Sequence, residues 1–418
     1  MKICVICPEM GNSAGNAFIG GHVNAVLQLS KALFDRGHGI TIITTPHRYP
    51  GNKPDNDIFN GWAEVYTLPI SSSYPTIKYG FEYAIESIRK VKELHKIKTF
   101  DIIHGHSGYS MLALITGISA KTTGLPSVHS IYCPIHVTSG NAVKLLSNNI
   151  FSKFYFSGVS KIIGVTRNVA QSLMEVGIAA DTIAEIPIGI NTELYNPYVS
   201  GDYVRKMYSI NPDQPTIIYV GNLTTQKGLL ILIEALNIVV KKIPNVKLFM
   251  ILNMPLERFQ NPDIVDIDMK QLFKIKEKIK HYDLENNIVP LGLLDDMPQF
   301  LAASNFSITP FLDTVGIVDY PTSMIEAMAV GKPIIASRVG GIPEIIEHNK
   351  NGILIEPNNI ENLANSILEL INHQYKTKNM GEQAAKTISR RYGCATIAAR
   401  LEKLYEEVIS DYNSNRRY

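Results

Sequence analysis

The sequence predicts an α/β protein built from two doubly wound domains. Three observations lead there. Short apolar runs alternate with amphipathic helices along the chain. That alternation stops at a polar, turn-rich stretch, 196–215, and then begins again. The chain has 418 residues, room for two or three domains at about 150 residues each.

In chain order, "KICVIC" (2–7) reads as a first strand. In "HVNAVLQLSKALFDRG" (22–37), Val23, Val26, Leu27, Ser30, Leu33 and Phe34 recur at helical spacing, and Gly37 ends the helix. The next strands are "ITIITT" (40–45), "DIIHGH" (101–106), "PSVHSI" (126–131), "KIIGVT" (161–166) and "IAEIPIG" (183–189). Continuous apolar strands separated by helices are the signature of a parallel sheet covered on both faces. After the break, "TIIYVG" (216–221) is a strand and "GLLILIEALNIVVKKI" (228–243) a helix. Strands follow at 246–252, 287–292, 306–311, 333–337 and 352–357, and one long charged helix is expected from about 377 to 412. The expected domains are 1–200 and 201–385, with 386–418 as a C-terminal helix packing back toward the first.

Composition narrows the function. Apolar residues make up 45% and charged residues 19%, enough for large cores. A formal charge of +2 argues against a dedicated nucleic-acid binder, which needs a basic face. Cys4 and Cys7 form a C-x-x-C, but within a strand they point to opposite faces, and no second pair stands at zinc spacing. They are read as core thiols. The first apolar stretch ends at Pro8, too short for a signal peptide, and no apolar run approaches the roughly 20 residues that span a bilayer. A soluble, cytoplasmic protein is expected, with peripheral membrane contact as an open question. The basic stretch 87–98 and the aromatic, lysine-bearing stretch 143–161 could rest on anionic lipid, but solvated helix faces are the preferred reading.

In doubly wound sheets, ligands bind beyond the carboxyl ends of the strands. After strand 1, Gly20 and Gly21 precede a helix, where backbone amides can approach an anion. The spacing is not G-x-G-x-x-G, so a dinucleotide is not expected. In "YVGNLTTQKG", Lys227 stands at a helix start and could act as a point charge on a phosphate. In "DYPTSMIEAMAVGKPII" (319–335), Pro321 suits a helix's first turn. The amides of Thr322, Ser323 and Met324 would then lack helical partners and could face a diphosphate. Glu326 lies about one turn further in, among apolar residues. A buried carboxylate is costly unless it is bonded, and two adjacent ribose hydroxyls would satisfy both oxygens. Each feature has a plainer reading: a flexible loop, an exposed lysine, a glutamate paired with Lys332. The residues alone leave these open. No dense Asp/His cluster suggests a metal.

Taken together, the segments resemble the retaining glycosyltransferases of family 4, whose GT-B fold sets two Rossmann-like domains facing a cleft. The resemblance rests on Gly20–Gly21 after strand 1, on His129 in "SVHSI" and less closely His106 in "IHGHSG", and on "IPIGINTELYNP". It rests further on "VGNLTTQKG" and, most of all, on "EAMAVGKPIIASRVGGIPEII" (326–346). It implies transfer of a sugar, a hexose, from a nucleotide-diphosphate sugar to an acceptor hydroxyl with retention of configuration. The donor would sit in the C-terminal domain and the acceptor in the N-terminal one. Glu326 would hold the ribose and Lys227 the diphosphate, helped by Thr322, Ser323 and Met324. Gly20 and Gly21 would approach the phosphates or the acceptor, and His129 would lie near the sugar. His129, Lys227 and Glu326 form the implied catalytic set, with no cofactor besides the donor. Two positions depart from the family pattern. Asn222 replaces its arginine, and Val318 replaces its first glutamate, with Asp319 adjacent as a substitute if the loop shifts. These departures keep three rivals in view: a non-catalytic glycosyltransferase-like subunit, a GT-B epimerase and a phosphorylase.

Overall fold

The computed structural model describes residues 1–8, 21–45, 61–72, 76–107, 112–135, 153–252, 269–315 and 317–415. The chain forms two bodies. The first gathers Met1–Gly189, Val315–Asp319 and Cys394–Tyr418; the second gathers Ile190–Thr314 and Tyr320–Gly393.

In the first body the strands are β1 (Lys2–Ile6), β2 (Gly39–Thr44), β3 (Ala63–Thr67), β4 (Ile102–Ser107), β5 (Ser127–Ile131), β6 (Lys161–Gly164) and β7 (Ile183–Glu185). All pair in parallel, in the order β3-β2-β1-β4-β5-β6-β7. The helices α1 (Gly21–Asp35), α2 (Ile77–Lys98), α3 (Ala113–Thr123) and α4 (Arg167–Glu175) separate them. Ile3, Cys4, Val5 and Ile6 are all buried whichever way they point, as a sheet covered on both faces requires. Cys4 and Cys7 are both buried and neither forms a disulfide.

Three details differ from the sequence reading. Phe34 is not on the core face of α1. Leu33 is buried there as read, whereas Phe34 lies half-exposed beside Trp62, ring centroids 6.4 Å apart. The edge strand β3 was not expected, because "AEVYT" is only half-buried and carries no apolar run. The long C-terminal helix is two helices, broken between Arg391 and Cys394. The end of α1 is as read: Gly37 adopts φ +90° and its N–H donates to the Phe34 carbonyl at 2.8 Å.

The second body holds β8 (Thr216–Gly221), β9 (Lys247–Leu252), β10 (Ile288–Leu291), β11 (Phe306–Thr309), β12 (Ile334–Ser337) and β13 (Gly352–Ile355). They pair in parallel in the order β10-β9-β8-β11-β12-β13. The helices are α5 (Asp202–Met207), α6 (Leu229–Val240), α7 (Met269–His281), α8 (Met297–Ala303), α9 (Thr322–Ala329), α10 (Ile342–Ile345), α11 (Ile360–Asn372) and α12 (Gln374–Arg391). Leu229, Leu232, Ile233, Leu236 and Val239 of α6 pack into one apolar cluster with Leu248 and Met250 of β9 and with Leu363 and Ile367 of α11. Each such side chain contributes about 1.5–3 kcal/mol through burial. This body starts ahead of the polar stretch at 196–215, because the Ile190 N–H donates to the Tyr392 carbonyl at 2.8 Å.

That same bond marks where the expected long helix breaks. Helix α12 ends at Arg391, Gly393 bridges to Ile190, and α13 (Cys394–Asn415) begins. Helix α13 belongs to the first body. It packs on α1, its Glu402 bonds His38 at 3.0 Å, and the Tyr405 hydroxyl meets His104 Nδ1 at 2.5 Å. His104 is buried on β4, and its other ring nitrogen meets the Ser130 hydroxyl at 2.8 Å. Burial first, and then the nearby His129, hold the His104 pKa down at about 3, so the ring is neutral. Removing the hydroxyl strands a buried ring nitrogen. Tyr405→Phe is expected to destabilise the first body by about 1–3 kcal/mol, seen as a lower denaturant midpoint with an unchanged slope.

Candidate functional site

In the second sheet β8 is flanked by β9 on one side and β11 on the other. The chain order reverses between β8 and β11, and a crevice opens at the carboxyl ends of strands at such a switch point. The residues singled out from the second half of the sequence lie on the segments that leave these two strands.

The segment after β8 makes a 3-10 turn at Thr225–Lys227 and enters α6 through Gly228. Gly228 adopts φ +70°, and a Cβ there would come within 1.8 Å of the Pro310 carbonyl oxygen. Only glycine permits this approach. It joins the two segments, and the Leu312 N–H donates to the Gln226 carbonyl at 2.8 Å. The Lys227 ammonium stands 4.0 Å from the Phe311 ring centroid, a cation–π contact. Asn222, at the position of the missing arginine, turns inward. Its amide oxygen accepts from the Thr224 hydroxyl at 2.8 Å and the Thr224 N–H at 3.3 Å, a local turn.

Helix α9 starts with Pro321 as its N-cap rather than as its first helical residue. The missing proline N–H costs nothing in either place. The expectation of three open amides is corrected to two. The Met324 N–H donates to the Pro321 carbonyl at 3.1 Å, and its side chain is buried. The amides of Thr322 and Ser323 have no partner among the described residues.

Glu326 follows one turn later and is only 5% exposed. Burial raises its pKa to about 7, opposed by a hydrogen bond with the Thr322 side chain. Lys332 is not its partner. The ammonium of Lys332 is itself depressed to about 8 by burial and by Arg205. Tyr195 lies buried near Glu326, and burial, then the Glu326 charge, keep its hydroxyl protonated. Thus Glu326 is a buried carboxylate with no neutralising cation among the described residues. Sequence reasoning missed Tyr195, Phe311 and the constraint at Gly228. Tyr195 lies inside the quoted "IPIGINTELYNP", and Phe311 ends the strand "FSITPF".

In the first body the placement differs. Gly20 lies outside the described residues, and Gly21 is the first residue of α1. His129 is 1% exposed on β5. Its ring nitrogens meet the Ser107 hydroxyl at 2.8 Å and the Thr116 hydroxyl at 2.9 Å, and burial lowers its pKa to about 3. His129 is thus a neutral, buried histidine with both ring nitrogens engaged inside the first body. His106 is buried as well, its Nδ1 meeting the Tyr132 hydroxyl at 2.9 Å. Asp319 does not replace the missing glutamate. It is fully buried, accepts from Thr166 at 2.5 Å and from Asn168 at 2.8 Å, and donates its N–H to the Tyr132 carbonyl at 3.1 Å. Among the described residues, no group of three His, Cys, Asp or Glu side chains is arranged to hold a metal ion.

Comparison with known proteins places this geometry. The family model "Glycosyltransferase Family 4" matches residues 19–194, and "Glycosyl transferases group 1" matches 202–387. The chain is 24% identical over 417 residues to the N-acetyl-alpha-D-glucosaminyl L-malate synthase of Bacillus anthracis, covering 98% of each. It is 23% identical to the phosphatidylinositol N-acetylglucosaminyltransferase gpi3 subunit of Schizosaccharomyces pombe, covering 94% of this chain and 79% of that one. Its fold matches that of Anabaena Alr3699/HepE in complex with UDP-glucose, with a TM-score of 0.73, 19% identity and coverage of 97% of this chain and 100% of the other. With two parallel doubly wound sheets and a matching family model over each half, the chain belongs to the family 4 glycosyltransferases of GT-B fold, and it is a transferase enzyme.

Proposed function

We propose that the second body binds a nucleotide-diphosphate sugar, and that the enzyme transfers the sugar, a hexose, to an acceptor hydroxyl with retention of configuration. The observation that carries the donor site is the Glu326 carboxylate, buried behind a helix start and without a neutralising cation among the described residues. Two ribose hydroxyls would donate to its two oxygens. The diphosphate would lie at the start of α9, against the amides of Thr322 and Ser323, with the Lys227 ammonium held on Phe311 as its counter-charge. The solved neighbour's complex with UDP-glucose supports a uridine-type donor, and the N-acetylglucosaminyl names of the two relatives support a hexose-type sugar. The first body would receive the acceptor.

In the reaction the bond from the anomeric carbon to the diphosphate breaks through an oxocarbenium-like state, and negative charge grows on the leaving diphosphate. Lys227 and the two amides stabilise that charge without reorganising. The acceptor oxygen forms the new bond on the face the diphosphate leaves, and its proton passes to the departing phosphate. Asn222 brings no charge, so the ammonium of Lys227 carries more of this stabilisation than in relatives with arginine. The reading needs no cofactor beyond the donor.

Thermal shifts with UDP, GDP, ADP, UDP-glucose and UDP-N-acetylglucosamine test the donor site. A true donor at a hundred-fold excess over its Kd is expected to raise the melting temperature by about 5–10 °C, and no shift with any of them sinks the reading. Lys227→Ala and Glu326→Ala are each expected to lower kcat/KM for the donor by about 10- to 150-fold, the value of a charge-assisted hydrogen bond, with the far-ultraviolet circular dichroism unchanged.

Two pH effects follow from the raised pKa of Glu326. Only the ionised carboxylate accepts from both hydroxyls, so KM for the donor is expected to rise about ten-fold between pH 8 and pH 6, and Glu326→Gln flattens that profile. For stability the sign is opposite. A carboxyl whose folded pKa is raised destabilises the unliganded fold once it ionises, so Glu326→Gln raises the melting temperature at pH 8. The gain, of order 1–3 kcal/mol, fades as pH falls below about 7 toward the ordinary glutamate range.

A further inference from the structure

We propose that the outward face of α2 docks on an anionic lipid bilayer. Helix α2 has 22 residues and is about 33 Å long. Thr76 caps its start, accepting from the Tyr79 N–H at 3.1 Å. Tyr79, Tyr83, Ser87, Val91 and Leu94 are its buried side. The opposite side carries Ile77, Phe81, Ile85, Arg89, Lys92 and Lys96, three or four residues apart and so in one line. The first three are 83%, 68% and 62% exposed, and the last three are exposed as well.

Apolar side chains on the solvent face of a packed helix gain nothing from the fold. Here they stand in a row that continues into three cations. The nearby acids lie toward one flank, and each has a partner, which for Glu86 is Arg89 of the line itself. Glu82 accepts from the backbone and side chains of Ser71 and Ser72. Glu86 pairs with Arg89, and Glu93 with Lys90 at 2.9 Å. With Arg89 tied to Glu86, Lys92 and Lys96 keep the outward line net positive and partly apolar.

Charge and size together choose the occupant. Three apolar side chains on one helix fall well short of the roughly 1,200 Å² that a stable protein interface buries. A lipid surface asks for less: a few side chains seated at the acyl boundary, with cations at the headgroup level. Lysine stems are long and apolar and can lie along that boundary while the ammonium reaches the phosphates. The basic half, 87–98, was visible in the sequence, but the apolar half, Ile77 to Ile85, became legible only with the burial pattern. The other stretch noted there, 143–161, lies mostly outside the described residues.

The test is flotation of the full chain with vesicles of phosphatidylcholine, alone or mixed with phosphatidylglycerol. Binding is expected only to the mixed vesicles and to weaken at high salt. The double variant Lys92→Ala/Lys96→Ala is expected to bind about thirty-fold more weakly, a factor of about five for each lysine. Phe81→Ser/Ile85→Ser is expected to lose binding at high salt first. Both variants should keep the wild-type melting temperature and donor-induced thermal shift, which separates this proposal from the donor site. Failure of the wild-type chain to float with mixed vesicles overturns the proposal, as does equal flotation of both variants. So does a wild-type dimer that Phe81→Ser/Ile85→Ser converts to monomer without any flotation, because a second copy then covers the face.

Discussion

Covering a parallel sheet on both faces is the constraint on which the rest depends. It removes the strand faces from solvent and leaves only the strand ends to carry chemistry. In the second body, Leu248–Leu252 and Ile334–Ser337 are buried along their whole length. The polar groups that face a ligand must then come from the segments that leave the strands. The order of β8 and β11 brings two such segments together, and Gly228 lets them touch. Lys227, the start of α9 and Glu326 are consequences of that arrangement.

The same constraint sets the terms for polar residues that remain inside. His104, His106, His129 and Asp319 are all buried, and each has side-chain partners at hydrogen-bond distance. Their low-dielectric surroundings make an unpaired group expensive, so these side chains arrive with hydroxyl or amide partners on neighbouring strands and helices. Glu326 stands apart. It has a threonine and a nearby tyrosine but no counter-ion among the described residues, and burial lifts its pKa toward neutrality. A carboxylate left in that condition makes sense where a ligand completes its bonding.

The parallel sheets were legible in the sequence because a strand buried on both faces writes an unbroken apolar run, as in "KLFMIL" and "TIIYVG". The edge strand Ala63–Thr67 was not, because a half-exposed edge needs no such run. The break at Gly393 was hidden for another reason. The apolar spacing is helical on both sides, and what separates the helices is a tertiary bond from Ile190. At the site, the residue types at 227 and 322–326 pointed to an anion and a diol, and the structure brings them to one end of one sheet. For His129 the sequence could not show that both ring nitrogens are engaged, because Ser107 and Thr116 meet it only in the folded sheet. Asp319 misled for the same reason, since its two oxygens are engaged by Thr166 and Asn168, far apart from it in the chain.

The return of α13 to the first body bears on synthesis. The Tyr405 hydroxyl that meets His104 lies 301 residues after it in the chain. During translation, everything in the second body emerges between β4 and the tyrosine that completes its surroundings. The amino-terminal body must therefore wait, with a polar pocket around His104 unfilled, until nearly the whole polypeptide has left the ribosome. A nascent chain stalled before residue 394 would expose that gap to chaperones and proteases.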